Sequence, residues 1–193
     1  MTIWPNSPPN IQEFKQVLEN SCQLWLISTS IKLLNDTFLH EIKLFFEKGK
    51  GVYIWGDNEP FFADANYVSK YLFNGSMFGN IHGNQNVGVQ TEPKKAGLRP
   101  NHLITTGITN LYEGITIATI SDNEDLEPLV YGSANNVVMA IYNKNGNRAI
   151  IDGGFTRLFC NWDTAGTARY VVNAATWLVN VERTKIGIFE KQY

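Results

Sequence analysis

The sequence predicts an α/β domain on a mainly parallel sheet, and three observations carry that prediction. Amphipathic helical stretches alternate with short, unbroken apolar runs through the first third of the chain. An Asn-Gly pair late in the sequence joins two strand-like segments, the pattern of an antiparallel hairpin. A long helical-period stretch follows it.

Taken in order, residues 11–20 place Ile11, Phe14, Val17 and Leu18 at helical spacing, and Cys22 closes that helix as a core residue. Leu24-Trp25-Leu26-Ile27 is a run of the kind that a strand covered on both faces carries. Asn35 or Asp36 caps a second helix whose buried face is Phe38, Leu39, Ile42, Phe45 and Phe46. Gly49 and Gly51 end it, and Val52-Tyr53-Ile54-Trp55 begins the next buried strand. Pro60 suits the first turn of a third helix running through Phe62, Val68, Tyr71 and Leu72. Residues 74–100, rich in glycine and asparagine, read as a functional or mobile surface loop with one short edge strand at 86–91. Strands are expected at 115–120, 137–142 and 148–152, the last two around Asn145-Gly146. Thr164 caps the final helix, with Ala168, Val171, Val172, Ala175 and Leu178 along one face.

With 193 residues, 44% of them hydrophobic, the chain can bury one substantial core, so a single domain over residues 1–193 is expected. Its 16 Lys and Arg against 18 Asp and Glu give a net charge of −2, which excludes a basic nucleic-acid footprint. No apolar run is long enough to span a bilayer, and the opening MTIWPNSPPN has neither the basic nor the apolar region of a secretory signal. Two widely separated cysteines suit a reduced, cytoplasmic compartment. The 21 asparagines are scattered and fall mostly where caps, turns and strand ends are expected.

Three segments carry a family resemblance. Asn101-His102-Leu103-Ile104-Thr105-Thr106-Gly107-Ile108 resembles the His-Pro-(Ile/Leu)-Thr-x-Gly-(Ile/Leu) segment of class I glutamine amidotransferase-like domains. Residues 148–155 resemble the strand and turn after that family's late hairpin, and residues 165–178, with Asn173 and Trp177, resemble the closing helix of its non-catalytic relatives. The resemblance covers roughly residues 24–180 and implies a flavodoxin-like, three-layer α/β/α sandwich. Active members carry a nucleophilic Cys on a strand-to-helix elbow, where a helix N-terminus lowers its pKa and backbone N–H groups stabilise an oxyanion. Here that stretch reads Trp55-Gly56-Asp57-Asn58-Glu59-Pro60, without Cys or Ser, and the family's late His-x-Glu pair is replaced by Phe155-Thr156-Arg157. The family's first strand is either Thr2-Ile3-Trp4 or lies outside this sequence, in which case the chain is one domain of a longer protein.

Ligands of open α/β sheets sit outside the carboxyl ends of the strands, which singles out two clusters. Asp57, Asn58 and Glu59 follow one strand; they either bind a cationic, hydroxyl-bearing or metal ligand, or cap the next helix and complement its dipole. Asp152, Thr156 and Arg157 follow another, where the guanidinium either grips a carboxylate or phosphate or pins the turn against Asp152 or Asp163. His82, between two glycines, is a base or ligand candidate, with an ordinary loop histidine as its plainer reading. His102 reads as structural, His40 as a surface residue, and Cys160 as a core cysteine whose pairing with a histidine would need a long-range contact. No cofactor or metal motif is present. The expectation is a non-catalytic domain binding a small molecule or a protein. A hydrolase using Asp57 or Glu59 with His82, and a scaffold domain, are the alternatives.

Overall fold

The structure is a computed structural model and describes residues 1–5 and 7–180. Helix α1 (Ile11–Glu19), strand β1 (Gln23–Ile27), α2 (Asp36–Glu47), β2 (Gly51–Trp55) and α3 (Ala63–Phe73) come first. Short strands follow: β3 (Met77–His82), β4 (Asn86–Gly88), β5 (Gly97–Leu98), β6 (Asn110–Tyr112), β7 (Thr116–Ile120) and β8 (Glu127–Tyr131). Then come β9 (Val137–Lys144), β10 (Asn147–Asp152) and α4 (Thr167–Val179).

Six strands form one sheet in the order β1-β2-β10-β9-β8-β5, while β3 pairs with β7 and β4 with β6 in two small ribbons. The sheet is mixed and not mainly parallel. β1, β2 and β10 run parallel, and the pairings of β10 with β9, β9 with β8 and β8 with β5 are antiparallel. The physical reason lies in the connections: parallel neighbours need a long crossover, and α2 supplies one between β1 and β2. β8, β9 and β10 are joined by short turns, including Asn145-Gly146, that permit only reversal.

Strand alternation divides the core. Val52 and Ile54 of β2 pack with Phe14 and Leu18 of α1, the Phe38–Phe46 face of α2, and Ala65 and Val68 of α3. Tyr53 and Trp55 point the other way, to Tyr170, Ala174, Trp177 and Leu178 of α4. The apolar face predicted for α2 is the one observed, and Asn35 accepts from the Thr37 and Phe38 N–H groups at its start.

Elsewhere the sequence misleads. Helix α3 begins at Ala63 behind Phe62, which makes no side-chain cap, so neither Asp57 nor Asn58 caps it. Helix α4 starts behind Gly166 and not Thr164, and buries Thr167, Tyr170, Ala174, Trp177 and Leu178 while Val172 stands exposed. The largest rings, not the smaller aliphatics, decide which stripe faces inward. Cys22 is exposed. The expected edge strand at 86–91 shortens to β4, and Thr2-Ile3-Trp4 forms no strand. Among the described residues, eight non-glycine positions have positive φ and seven are asparagine, the non-glycine residue that best tolerates left-handed backbone.

Candidate functional site

β2 and β10 end side by side, with Trp55 in register with Asp152. Beyond that point three segments are knitted together by backbone hydrogen bonds. Gly56 N–H donates to the Asp152 carbonyl at 2.8 Å, and Phe155 N–H to the Gly56 carbonyl at 3.2 Å. The β3–β7 ribbon joins them through Ala118 N–H to the Gly153 carbonyl at 2.9 Å and Glu59 N–H to the Gly79 carbonyl at 3.1 Å. The two clusters singled out in sequence are therefore neighbours at the carboxyl ends of the parallel strands β2 and β10.

Asp152 and Arg157, both fully buried, form an ion pair at 2.6 Å. The same Asp152 oxygen accepts from the Tyr53 hydroxyl at 2.9 Å and the Tyr170 hydroxyl at 3.0 Å, and the other accepts Gly154 N–H at 2.9 Å. The two tyrosine hydroxyls also touch each other. Arg157 donates its second terminal nitrogen to the Glu113 carbonyl at 2.9 Å, and its guanidinium carbon stands 5.8 Å from the ring centres of Trp55 and Tyr170. Gly154 is required here, because a Cβ at that position would strike both the Arg157 guanidinium and the Glu113 carbonyl. Burial pushes the Asp152 carboxyl up to about 6 against the opposing pull of Arg157 and the Gly154 N–H. Of the two readings of Arg157, this arrangement is the pinned turn: the guanidinium is shut away from solvent and Asp152, not Asp163, is its partner.

Asp57 differs. It is only 7% exposed, yet its carboxylate accepts one hydrogen bond, from the adjacent Asn58 N–H at 3.0 Å. Among the described residues no cation forms an ion pair with it. Burial is the main cause raising its carboxyl to about 6, partly offset by that N–H and by Arg157, with the Asp152 charge adding to the rise. Asn58 is half-buried and donates its amide to the Glu59 carbonyl at 3.0 Å, and Glu59 is exposed. Phe61 and Phe78, in the two segments adjoining these residues, are 45% and 52% exposed. Together they offer a carboxyl near its titration point, a second carboxylate, an amide and two accessible aromatic rings.

His82 is exposed at the end of β3, in register with Thr116, and among the described residues makes no hydrogen bond to Asp57 or Glu59. Thr156, half-buried, accepts Ile115 N–H at 2.9 Å and thereby ties the β10 turn to the ribbon. His102 accepts Ile104 N–H at 3.2 Å and packs its ring on Trp177; burial lowers it to about 4, so it is neutral at physiological pH. His40 is exposed and Cys160 half-buried.

Sequence reading missed Glu113, Tyr53 and Tyr170 as polar partners. Glu113 is fully buried and accepts both the N–H and the hydroxyl of Ser133, at 2.6 and 2.7 Å. Its signal was a lone charge next to the apolar Leu111-Tyr112 pair, which burial makes costly unless it is hydrogen-bonded. Among the described residues no group of three or more His, Cys, Asp and Glu side chains could hold a metal ion, and no helix is long and apolar enough to cross a membrane.

No protein-family model matches the sequence, and no curated protein matches it. Solved structures do. The N-terminal domain of mmIFT52 is similar at a TM-score of 0.67 with 12% identity, over 85% of this chain and 79% of that one. Cytoplasmic protein STM3548 from Salmonella typhimurium is similar at 0.60 with 13% identity, over 91% of this chain and 76% of that one. Cytoplasmic protein STM1381 from Salmonella typhimurium LT2 is similar at 0.54 with 14% identity, over 94% and 76%. At these identities the likeness is one of fold: this chain shares its mixed α/β architecture with those three proteins.

Proposed function

We propose that the chain is a non-catalytic binding domain of the class I glutamine amidotransferase-like kind, a three-layer α/β/α sandwich with a late hairpin, working in the cytoplasm. The surface around Asp57, Asn58 and Glu59 binds a small ligand that presents a cationic or hydroxyl group. The observation that carries this reading is Asp57: a largely buried carboxyl with, among the described residues, one backbone donor and no cation, at the strand ends where open sheets bind ligands. Asp152 and Arg157 support that surface from below and do not touch the ligand, since both are fully buried and paired. Loss of the elbow nucleophile argues against amide chemistry, because Asp57 stands where a Cys would act.

The test is a thermal-shift screen against primary and quaternary amines, polyols, amino acids and divalent cations. A ligand that binds only the folded state raises the melting midpoint. The reading requires at least one class to do so in the parent chain, and Asp57→Asn to abolish the shift. Glutaminase turnover that disappears in Cys160→Ser would overturn it, as would shifts that survive Asp57→Asn unchanged.

A further inference from the structure

Independently of that site, β1 is an edge of the six-stranded sheet, open on its outer side among the described residues. Among the described residues it pairs with β2 alone, and the direction of its free groups follows from two bonds. Gly51 N–H donates to the Cys22 carbonyl at 3.3 Å, and Ser28 N–H donates to the Trp55 carbonyl at 2.9 Å. In a parallel pair every second residue faces the neighbour, so Cys22, Leu24, Leu26 and Ser28 face β2. The N–H and C=O groups of Gln23, Trp25 and Ile27 therefore point outward, and no backbone group of the described residues bonds to them.

Sheet edges are ordinarily blunted by lysine, proline, a bulge or extreme shortness. β5, at the opposite edge, is two residues long and bridged at Leu98 by Val89. β1 has none of these devices. From Asn20 to Ile31 the sequence NSCQLWLISTSI carries no charge and no proline, and β1 pairs with β2 without a bulge. Its apolar side chains stay partly or fully accessible: Leu24, Trp25 and Leu26 are half-buried and Ile27 is 51% exposed.

We propose that β1 is a self-association edge, on which a second copy of this chain docks by antiparallel β1–β1 pairing about a two-fold axis at Trp25. Self-complementarity points to a second copy as the occupant. With Trp25 opposite the partner's Trp25, Gln23 falls opposite the partner's Ile27. These are the residues whose groups point outward, so every free N–H and C=O of both strands is used, about six hydrogen bonds in all. The same register sets Leu24 opposite the partner's Leu26, extending the apolar row that packs under α1 and α2. Two sheets of six strands then become one of twelve, closed by an isologous contact that cannot propagate into a fibre. A five-residue strand buries less than the ~800 Å² per partner typical of stable complexes, so the dimer dissociates at micromolar concentrations, on the order of 1–100 μM.

Sedimentation velocity of the full chain from about 1 μM to about 1 mM tests this. The parent is expected to shift from monomer to dimer across that range. Ile27→Lys, at an exposed position, and Ile27→Pro, which removes an outward N–H only, are both expected to stay monomeric with an unchanged far-UV spectrum. In a Cys22→Ser background, Q23C/I27C is expected to oxidise to a covalent dimer through Cys pairs facing across the axis. A parent chain that is monomeric throughout overturns the proposal. So does an Ile27→Lys variant that dimerises like the parent, or a dimer that Q23C/I27C does not cross-link.

Discussion

Asp57 and Asp152 make a natural pair for comparison. Each follows or ends one of two adjacent parallel strands, each is almost wholly buried, and burial pushes each carboxyl up to about 6. They differ in company. Asp152 accepts from two tyrosine hydroxyls, a guanidinium and a backbone N–H, whereas Asp57 accepts from one backbone N–H. Burial alone therefore does not mark a working residue. A buried carboxylate with a full set of donors holds the fold together, and one left nearly without them is available to something else.

Removing each carboxylate should give effects of opposite sign. The largest is expected for Asp152→Ala, which leaves the Arg157 cation buried and unpaired, at a cost of about 3–5 kcal/mol in urea unfolding. A cost below about 1 kcal/mol would mean the pair does not organise the turn. Asp57→Asn is expected to stabilise the protein by about 1–2 kcal/mol at pH 7.5, because it removes a desolvated charge that pairs with no cation among the described residues; residual solvent contact keeps this below the full shift. Destabilisation there would reveal a partner for Asp57 and erase the contrast.

The pH dependence follows from the same two groups. Both folded-state values, about 6, lie above the ordinary 3.8, so the folded chain holds these protons more tightly than the unfolded chain. Their contribution to stability is complete below about pH 4 and is lost as pH rises through about 6. Unfolding free energy measured at intervals from pH 4 to 7.5 should show that decline, and Asp57→Asn should lessen its slope. Smaller still, Tyr53→Phe removes one donor of four from Asp152 and should cost about 1 kcal/mol. Glu59→Gln, on the exposed side, should change stability by less than about 0.5 kcal/mol while weakening any cationic ligand found in the thermal-shift screen.

The legible parts of this molecule are those with local causes. The α2 face, the β2 run and the Asn145-Gly146 reversal follow from spacing, capping and turn chemistry within a dozen residues. The position of both clusters at strand ends followed from the apolar runs of β2 and β10, which fix where those strands stop. What stayed hidden is tertiary. Nothing near Tyr53 or Tyr170 in sequence announces that their hydroxyls meet at Asp152, 99 and 18 residues away. The start of α3 was misread because Pro60 suits a first helical turn, whereas here Asn58 and Pro60 accept from Phe61 and Phe62 in a turn of their own. The inward stripe of α4 depends on which rings the far face of β2 can receive, a matter of shape and not of period.

The seven asparagines at positive φ have a consequence for the unfolded chain. Glycine would reach the same left-handed angles with less strain, yet it would also widen the set of conformations lost on folding. An asparagine at such a position costs some local strain in the native state and narrows the denatured ensemble in return. Its amide can also bond the backbone of a distant segment, as when Asn135 accepts Ala96 N–H at 2.9 Å. Asparagine thus shares the left-handed positions equally with glycine, seven each among the described residues, and lowers the loop entropy that glycine at all of them would add.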